Sequence, residues 1–351
     1  MVFPREYPLK SINKIDSIQA LRGFAALGVM LAHGSSLIYQ HLDYQLVHQW
    51  ALVGVAGVDV FFVLSGFIIL YTALTRPVSR GTFLRKRFLR IYPVYWIILT
   101  VLILYHCLYP SFEHPADRGS TILGSILLFP QKDYVLGIAW TLSFEIIFYL
   151  FFALTFFVSA RFFYVSSMVW GLAIGALAWQ GYNFDHYTLQ VLFSPMILEF
   201  FWGCGVAYCF HRFRNTPFSR VFLWVGGLFF ILMLTRYYVS AIGMHAYELT
   251  PIRRMLYFGF PAACLIYGLL GSKIPISPYF VSLGNASYSL YLLHASVLSL
   301  LIKFVLLTRT SFLFSSFVGS LILFATTIAI ASAFYLLIEK PLIRCLNKGL
   351  V

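Results

Sequence analysis

The chain has 351 residues, of which 60% are hydrophobic, 19% aromatic and 11% charged, with a formal net charge of +13. Soluble domains carry about 25% charged residues, so this composition, with its mean hydropathy of +0.84, excludes a soluble globular protein and indicates a polytopic membrane protein. The positive charge does not indicate nucleic-acid binding. The cations fall in short runs between apolar segments, which is the pattern of cytoplasmic membrane loops.

The polar N-terminus, residues 1–16, leads directly into a long apolar stretch. It lacks a short apolar core followed by a small-residue cleavage site, so no removable signal peptide is expected. A membrane span needs about 20 mostly apolar residues. Ten such stretches are predicted, near 17–39, 52–74, 91–110, 137–158, 162–180, 189–210, 219–237, 254–271, 283–303 and 314–337. Residues 119–130 are too few to cross and are predicted as an interfacial or re-entrant helix. Ten crossings put both termini on one side. If that side is cytoplasmic, the inner segments hold 18 Lys and Arg against 7 outside, so both ends are expected inside. The expected fold is all-α: a tail over 1–16, a transmembrane domain over 17–342 and a tail over 343–351. The five cysteines show no CxxC spacing and read as small apolar fillers, not a disulfide framework or a metal site.

Against this background the ionisable residues inside apolar stretches stand out, since such groups are costly in a membrane. The first span holds LRGFAALGVMLAH, with Arg22 at one end and His33 at the other. Eleven residues of helix turn about 1100° and rise about 16 Å. Both side chains therefore share one face, Arg22 at the inner mouth and His33 about half a membrane deeper. Topology marking by Arg22 and simple packing by His33 are the plainer alternatives. The second span, GVAGVDVFFVLSGFIIL, carries Asp59 near its outer end. Antiparallel pairing brings it to the height of His33, where a carboxylate would orient the imidazole and favour its cation. A helix N-terminal charge is the alternative role. Ser65-Gly66 further along permits close helix approach or a bend.

The run TRPVSRGTFLRKRFLRIYPVYW places six cations in one cytoplasmic segment, with Thr82 as the expected cap of a short amphipathic helix. Lys86 and Arg90 are four apart, and Arg87 and Arg90 three apart, so they cluster on helix faces suited to phosphates or anionic lipids. Glu145 lies five residues past Trp140 and is expected on the outer side. Glu199, His294 and Glu339 are further ionisable residues in or at the edge of spans, for which structural and functional roles are balanced.

Arg22-x10-His33, GVDVFFVLSGF, the run Arg87-Phe88-Leu89-Arg90-Ile91-Tyr92-Pro93, WTLSFEIIFY, EFFWG, SYSLYLLH and the terminal EKP follow one another in this order. In order and spacing they resemble the membrane-bound acyltransferase 3 family. That resemblance implies ten core helices and transfer of an acyl group, most often acetyl, from cytoplasmic acyl-CoA to hydroxyls of bacterial surface carbohydrates. The family's essential Arg–His pair and RxxR motif fall on Arg22, His33, Arg87 and Arg90. Some members carry an additional C-terminal SGNH esterase-like domain; this chain stops at Val351, so a stand-alone form is expected.

The resemblance thus implies His33 as general base or transient acyl carrier, with Asp59 orienting it. Glu145 is expected to position the acceptor or tune the outer cavity. Arg22, Lys86, Arg87 and Arg90 are expected to hold CoA phosphates. No metal and no permanently bound cofactor is expected; acetyl-CoA is a donor substrate. The expected partners are membrane lipids and a lipid-linked or surface glycan, such as O-antigen lipopolysaccharide or exopolysaccharide, at a bacterial cytoplasmic (inner) membrane. Acylation of a small molecule or lipid headgroup is one alternative. A transporter is the other, although no paired Gly/Pro-broken spans mark corresponding halves.

Overall fold

The computed structural model describes residues 16–45, 52–76, 78–108, 119–213, 218–242, 250–272 and 274–348. Arg5, Lys10, Lys14, Arg118, Arg214 and Lys273, which enter the charge count above, lie outside them. Every element among the described residues is helical.

Ten helices are long and apolar enough to cross a membrane, as predicted. They are span 1 (Asp16–Leu42), span 2 (Val53–Thr75), span 3 (Arg80–Leu108), span 4 (Gly137–Thr155), span 5 (Ala160–Trp179), span 6 (Tyr187–Arg212), span 7 (Ser219–Val239), span 8 (Pro251–Gly271), span 9 (Ser287–Leu307) and span 10 (Phe317–Asn347). Burial sorts them: 67% of an apolar 18-residue stretch of span 2 lies inside the bundle but only 6% of the corresponding stretch of span 7. Spans 1, 2, 4, 6 and 8 make the interior. Spans 5 and 7 turn bands of large apolar side chains outward, including Met168, Leu172, Trp224 and Leu228. In water such a band would drive aggregation; in lipid it costs nothing.

Small residues set the tightest contacts. A Cβ on Gly203 would meet the Val63 carbonyl, and one on Gly66 the Phe200 carbonyl. The two glycines therefore let spans 2 and 6 touch backbone to backbone, which answers the expectation for Ser65-Gly66 in favour of close approach. Gly66→Leu is expected to overpack this contact by about 1–3 kcal/mol and lower the thermal unfolding midpoint in detergent. Gly175→Leu, where nothing lies within 4 Å, is the control that should leave the midpoint unchanged.

Two expectations about span 3 need correction. The basic run is not a separate short helix; Arg80–Leu108 is continuous, with Pro93 inside it. A helix that saturates its own backbone can run from water into lipid without a break, so the change from charged to apolar sequence marks no boundary. The cap is Ser79, whose hydroxyl accepts the Thr82 backbone N–H at 3.2 Å, and not Thr82 itself.

The segment near 119–130 forms a short helix, Gly119–Leu127. Its last carbonyls have no helical partner, and aromatic side chains of span 3 satisfy them. Tyr95 donates to the Ser125 carbonyl at 2.7 Å, Trp96 to Ile126 at 2.9 Å and Tyr92 to Leu127 at 3.0 Å. The chain then reverses through Leu128, at φ 54°. Spans 8 and 10 each contain one turn of π-helix, Met255–Gly259 and Tyr335–Glu339. Such bulges re-aim side chains and gather at functional sites. All five cysteines are unpaired, and Cys204 and Cys264 are buried. No group of metal-ligating side chains occurs among the described residues.

Candidate active site

Span 3 carries Arg87 and Arg90 one helical turn apart, so both face the bundle. There they meet Arg22 from span 1 and Glu145 from span 4 on the wall of a cavity of about 220 Å³. Lys86, one position before Arg87, is exposed and lies off this wall. Glu145 was expected on the outer side with the acceptor. The structure instead sets it among the three guanidiniums, where it accepts a hydrogen bond from the Ser65 hydroxyl. Glu145 and Glu339 are the carboxylates acting on Arg22, and Arg90 is the like charge beside it.

The two arginines of the RxxR motif have different partners. Arg90 Nη1 lies 3.0 Å from Glu339 Oε1, at the end of the span 10 π-turn. The guanidinium also stacks over Tyr288, 5.1 Å from the ring centroid. Ser289 donates to the other Glu339 oxygen. Arg87 has aromatic neighbours, with Phe83 and Tyr149 centroids 5.5 and 5.7 Å from its guanidinium carbon. Its Nε is buried without a hydrogen-bond partner. Three guanidiniums against two carboxylates leave this region with surplus positive charge, and one of the lining cations, Arg87, keeps a buried donor without a partner. An anion with acceptor oxygens is what such a cradle suits.

The cavity is also lined by Tyr291 and Phe61, whose rings meet edge to face at 5.9 Å. Tyr291 is pinned by Thr141, hydroxyl to hydroxyl at 2.7 Å. One turn beyond Tyr291 on span 9 is His294, and here the structure places His33. His33 Nδ1 is 3.0 Å from His294 Nε2, and the two rings stack with centroids 5.2 Å apart. His294 is fully buried, whereas His33 is only partly so.

Asp59 does not meet His33. It is fully buried and grips Arg254 of span 8. The guanidinium Nε lies 2.9 and 3.1 Å from its two oxygens and Nη2 2.9 Å from Oδ2, and Nη2 also reaches the Val55 carbonyl at 3.0 Å. Glu199 packs against Gly259 in the neighbouring π-turn and is buried beside the Asp59–Arg254 pair. The imidazole's partner is a second histidine, not the carboxylate.

Of Arg22, Lys86, Arg87 and Arg90, grouped in the sequence, the structure brings Arg22, Arg87 and Arg90 onto one cavity wall, and it gives His294, whose role was left open, to His33. Ser65, Tyr149 and Tyr288 were missed. The only signal for His294 was its place in SYSLYLLH, an ionisable residue within an apolar run.

Comparisons with known proteins show which family the chain is similar to. The model of a family described as an acyltransferase domain matches residues 15–336. The chain is 31% identical to the exopolysaccharide production protein ExoZ of Rhizobium meliloti (strain 1021), over 83% of this chain and 90% of ExoZ. It is 33% identical to the acyltransferase MdmB of Streptomyces mycarofaciens, over 41% of this chain and 39% of MdmB. A Staphylococcus aureus (strain COL) protein described as a candidate O-acetyltransferase is 26% identical over 83% of this chain, which spans about half of that protein, 52%. No solved structure matches the chain. With the family model covering nearly its whole length, the chain belongs to the acyltransferase 3 family and is a multi-pass membrane acyltransferase.

Proposed function

We propose that this protein transfers an acyl group, acetyl in the simplest case, from cytoplasmic acyl-CoA to a hydroxyl of a surface glycan. The observation that carries the reading is a cavity lined by Arg22, Arg87 and Arg90 that is also lined by Tyr291, one helical turn from the His294 that bonds His33. Similarity to ExoZ favours an exopolysaccharide acceptor among the glycans. The excess of basic residues on one set of connections supports cytoplasmic termini and a bacterial inner-membrane location.

In this reading Arg22 and Arg87 hold donor phosphates, while Arg90 keeps Glu339 neutralised and so shapes the pocket. The pantetheine arm extends toward Tyr291 and Phe61, which must part for the thioester to reach His33. His33 takes the proton from the acceptor hydroxyl as its oxygen attacks the thioester carbonyl. The tetrahedral intermediate collapses, the C–S bond breaks, and His33 returns the proton to the departing thiolate. Glu145 tempers the positive charge of the pocket and, through Ser65, ties span 4 to span 2.

Purified His33→Ala, assayed with labelled acetyl-CoA and an exopolysaccharide acceptor, is expected to lose about 10²- to 10⁴-fold in kcat. It should keep the donor-dependent rise in melting temperature that a bound ligand produces. Transfer at the parent rate overturns the assignment of His33, and no stabilisation by CoA in either protein overturns the donor site.

A further inference from the structure

Among the described residues His294 is the one side chain hydrogen-bonded to His33, and its own contacts fix where its proton sits. Its Nδ1 lies 2.6 Å from the Tyr291 carbonyl oxygen and 3.2 Å from that of Leu290. Carbonyl oxygens only accept, so Nδ1 must carry hydrogen. The ring is fully buried against His33 of span 1, and among the described residues its only side-chain hydrogen bond is to His33, with no carboxylate bonded to it. A second proton there would bury an uncompensated charge, which the apolar interior strongly disfavours. The ring is then neutral and its Nε2 offers a lone pair. Across the 3.0 Å contact, the hydrogen must therefore come from His33 Nδ1. In the neutral form of His33 its Nε2 is then unprotonated.

From this chain of donors and acceptors we infer that His294 is a positioning residue that locks His33 in its Nδ1–H tautomer, so that Nε2 is the atom that takes the hydroxyl proton. The inference rests on the acyl-transfer reading of His33 and adds the device that makes that residue a base. The proton balance is explicit. The acceptor O–H gives its hydrogen to His33 Nε2, and the imidazolium so formed keeps its Nδ1–H on His294. The same Nε2 hydrogen then passes to the thiolate. Two backbone carbonyls and a neutral imidazole thus do the orienting that a carboxylate performs in other acid–base sites. The spacing of span 9 supplies it, because the i−3 and i−4 carbonyls of one helix lie beside a side chain directed back along it.

The test has one arm that needs no change at position 294. Histidine-selective ¹⁵N NMR at alkaline pH, with the His33 signal assigned by its loss in His33→Ala, should show His33 with Nδ1 protonated. A predominantly Nε2–H His33 overturns the inference. In the second arm His294→Phe removes the acceptor while keeping a flat ring. It should convert His33 toward Nε2–H and lower kcat about 100-fold, with the donor KM unchanged. His294→Gln, whose amide oxygen can take the Nδ1 hydrogen, should recover at least tenfold of that loss. Full kcat in His294→Phe, or an equal loss in Phe and Gln with an unchanged tautomer, overturns the positioning role. The His33→Ala assay tests the underlying base assignment separately. Retained transfer there removes the base while leaving the tautomer result to stand alone.

Discussion

Asp59→Leu is expected to destabilise the folded protein by about 3–5 kcal/mol, seen as a large fall in melting temperature in detergent or as failure to accumulate in the membrane. Asp59 is completely buried and its two oxygens take three hydrogen bonds from Arg254. Removing one partner of such a pair strands the other charge, and the penalty is that of an uncompensated buried ion. The double variant Asp59→Leu with Arg254→Met should recover most of the loss, because the two charges leave together and an apolar pair of similar volume replaces them. If Asp59 instead acted on His33, Asp59→Asn would cut kcat at full stability, and the double variant would remain inactive. The structure predicts the opposite order: a stability defect first, with activity returning once the fold is restored.

The same pair shows what the sequence could and could not reveal. The spans were legible because lipid leaves no alternative: a backbone in hydrocarbon must satisfy itself, so about 20 apolar residues already specify a helix. Depth along a span was legible too, since it is residue count times rise. That placed Arg22 inward of His33 and Asp59 near the opposite end of span 2. Rotation of each helix about its axis was not legible. It decides which neighbour a side chain meets, and it depends on close contacts such as Gly66 against Phe200 and Gly203 against Val63. Asp59 therefore met Arg254, 195 residues away in the chain, and His33 met His294, 261 residues away. Glu145 shows a related limit: the sequence placed it on the outer side with the acceptor, and its company of Arg22, Arg87 and Ser65 was not legible.

The RxxR motif gives the other large expected effect, because its two arginines should fail in different ways. Arg87→Ala should raise the donor KM about 10- to 100-fold with kcat nearly unchanged. This is the loss of one or two charge-assisted hydrogen bonds to a phosphate that binds equally in ground and transition states. Among the described residues Arg87 has no ion-pair partner that its loss would strand, so folding should be little affected. Arg90→Ala should act on stability instead. It strands Glu339, which is 1% exposed, but Arg90's own side chain is 33% exposed. Solvent screening reduces what the pair contributes, to about 1–3 kcal/mol. Adding Glu339→Leu to an Arg90→Met background removes both charges and should restore the melting temperature with a donor KM close to that of the parent. If the double variant folds well but its KM rises as far as that of Arg87→Ala, Arg90 also holds the donor, and the division of labour within the motif is wrong. Equal loss of stability in Arg87→Ala and Arg90→Ala would remove the argument for a donor site at Arg87. Its unsatisfied Nε would then belong to the packing of Phe83 and Tyr149 around it, and the cavity would need another cation to recognise an anionic substrate.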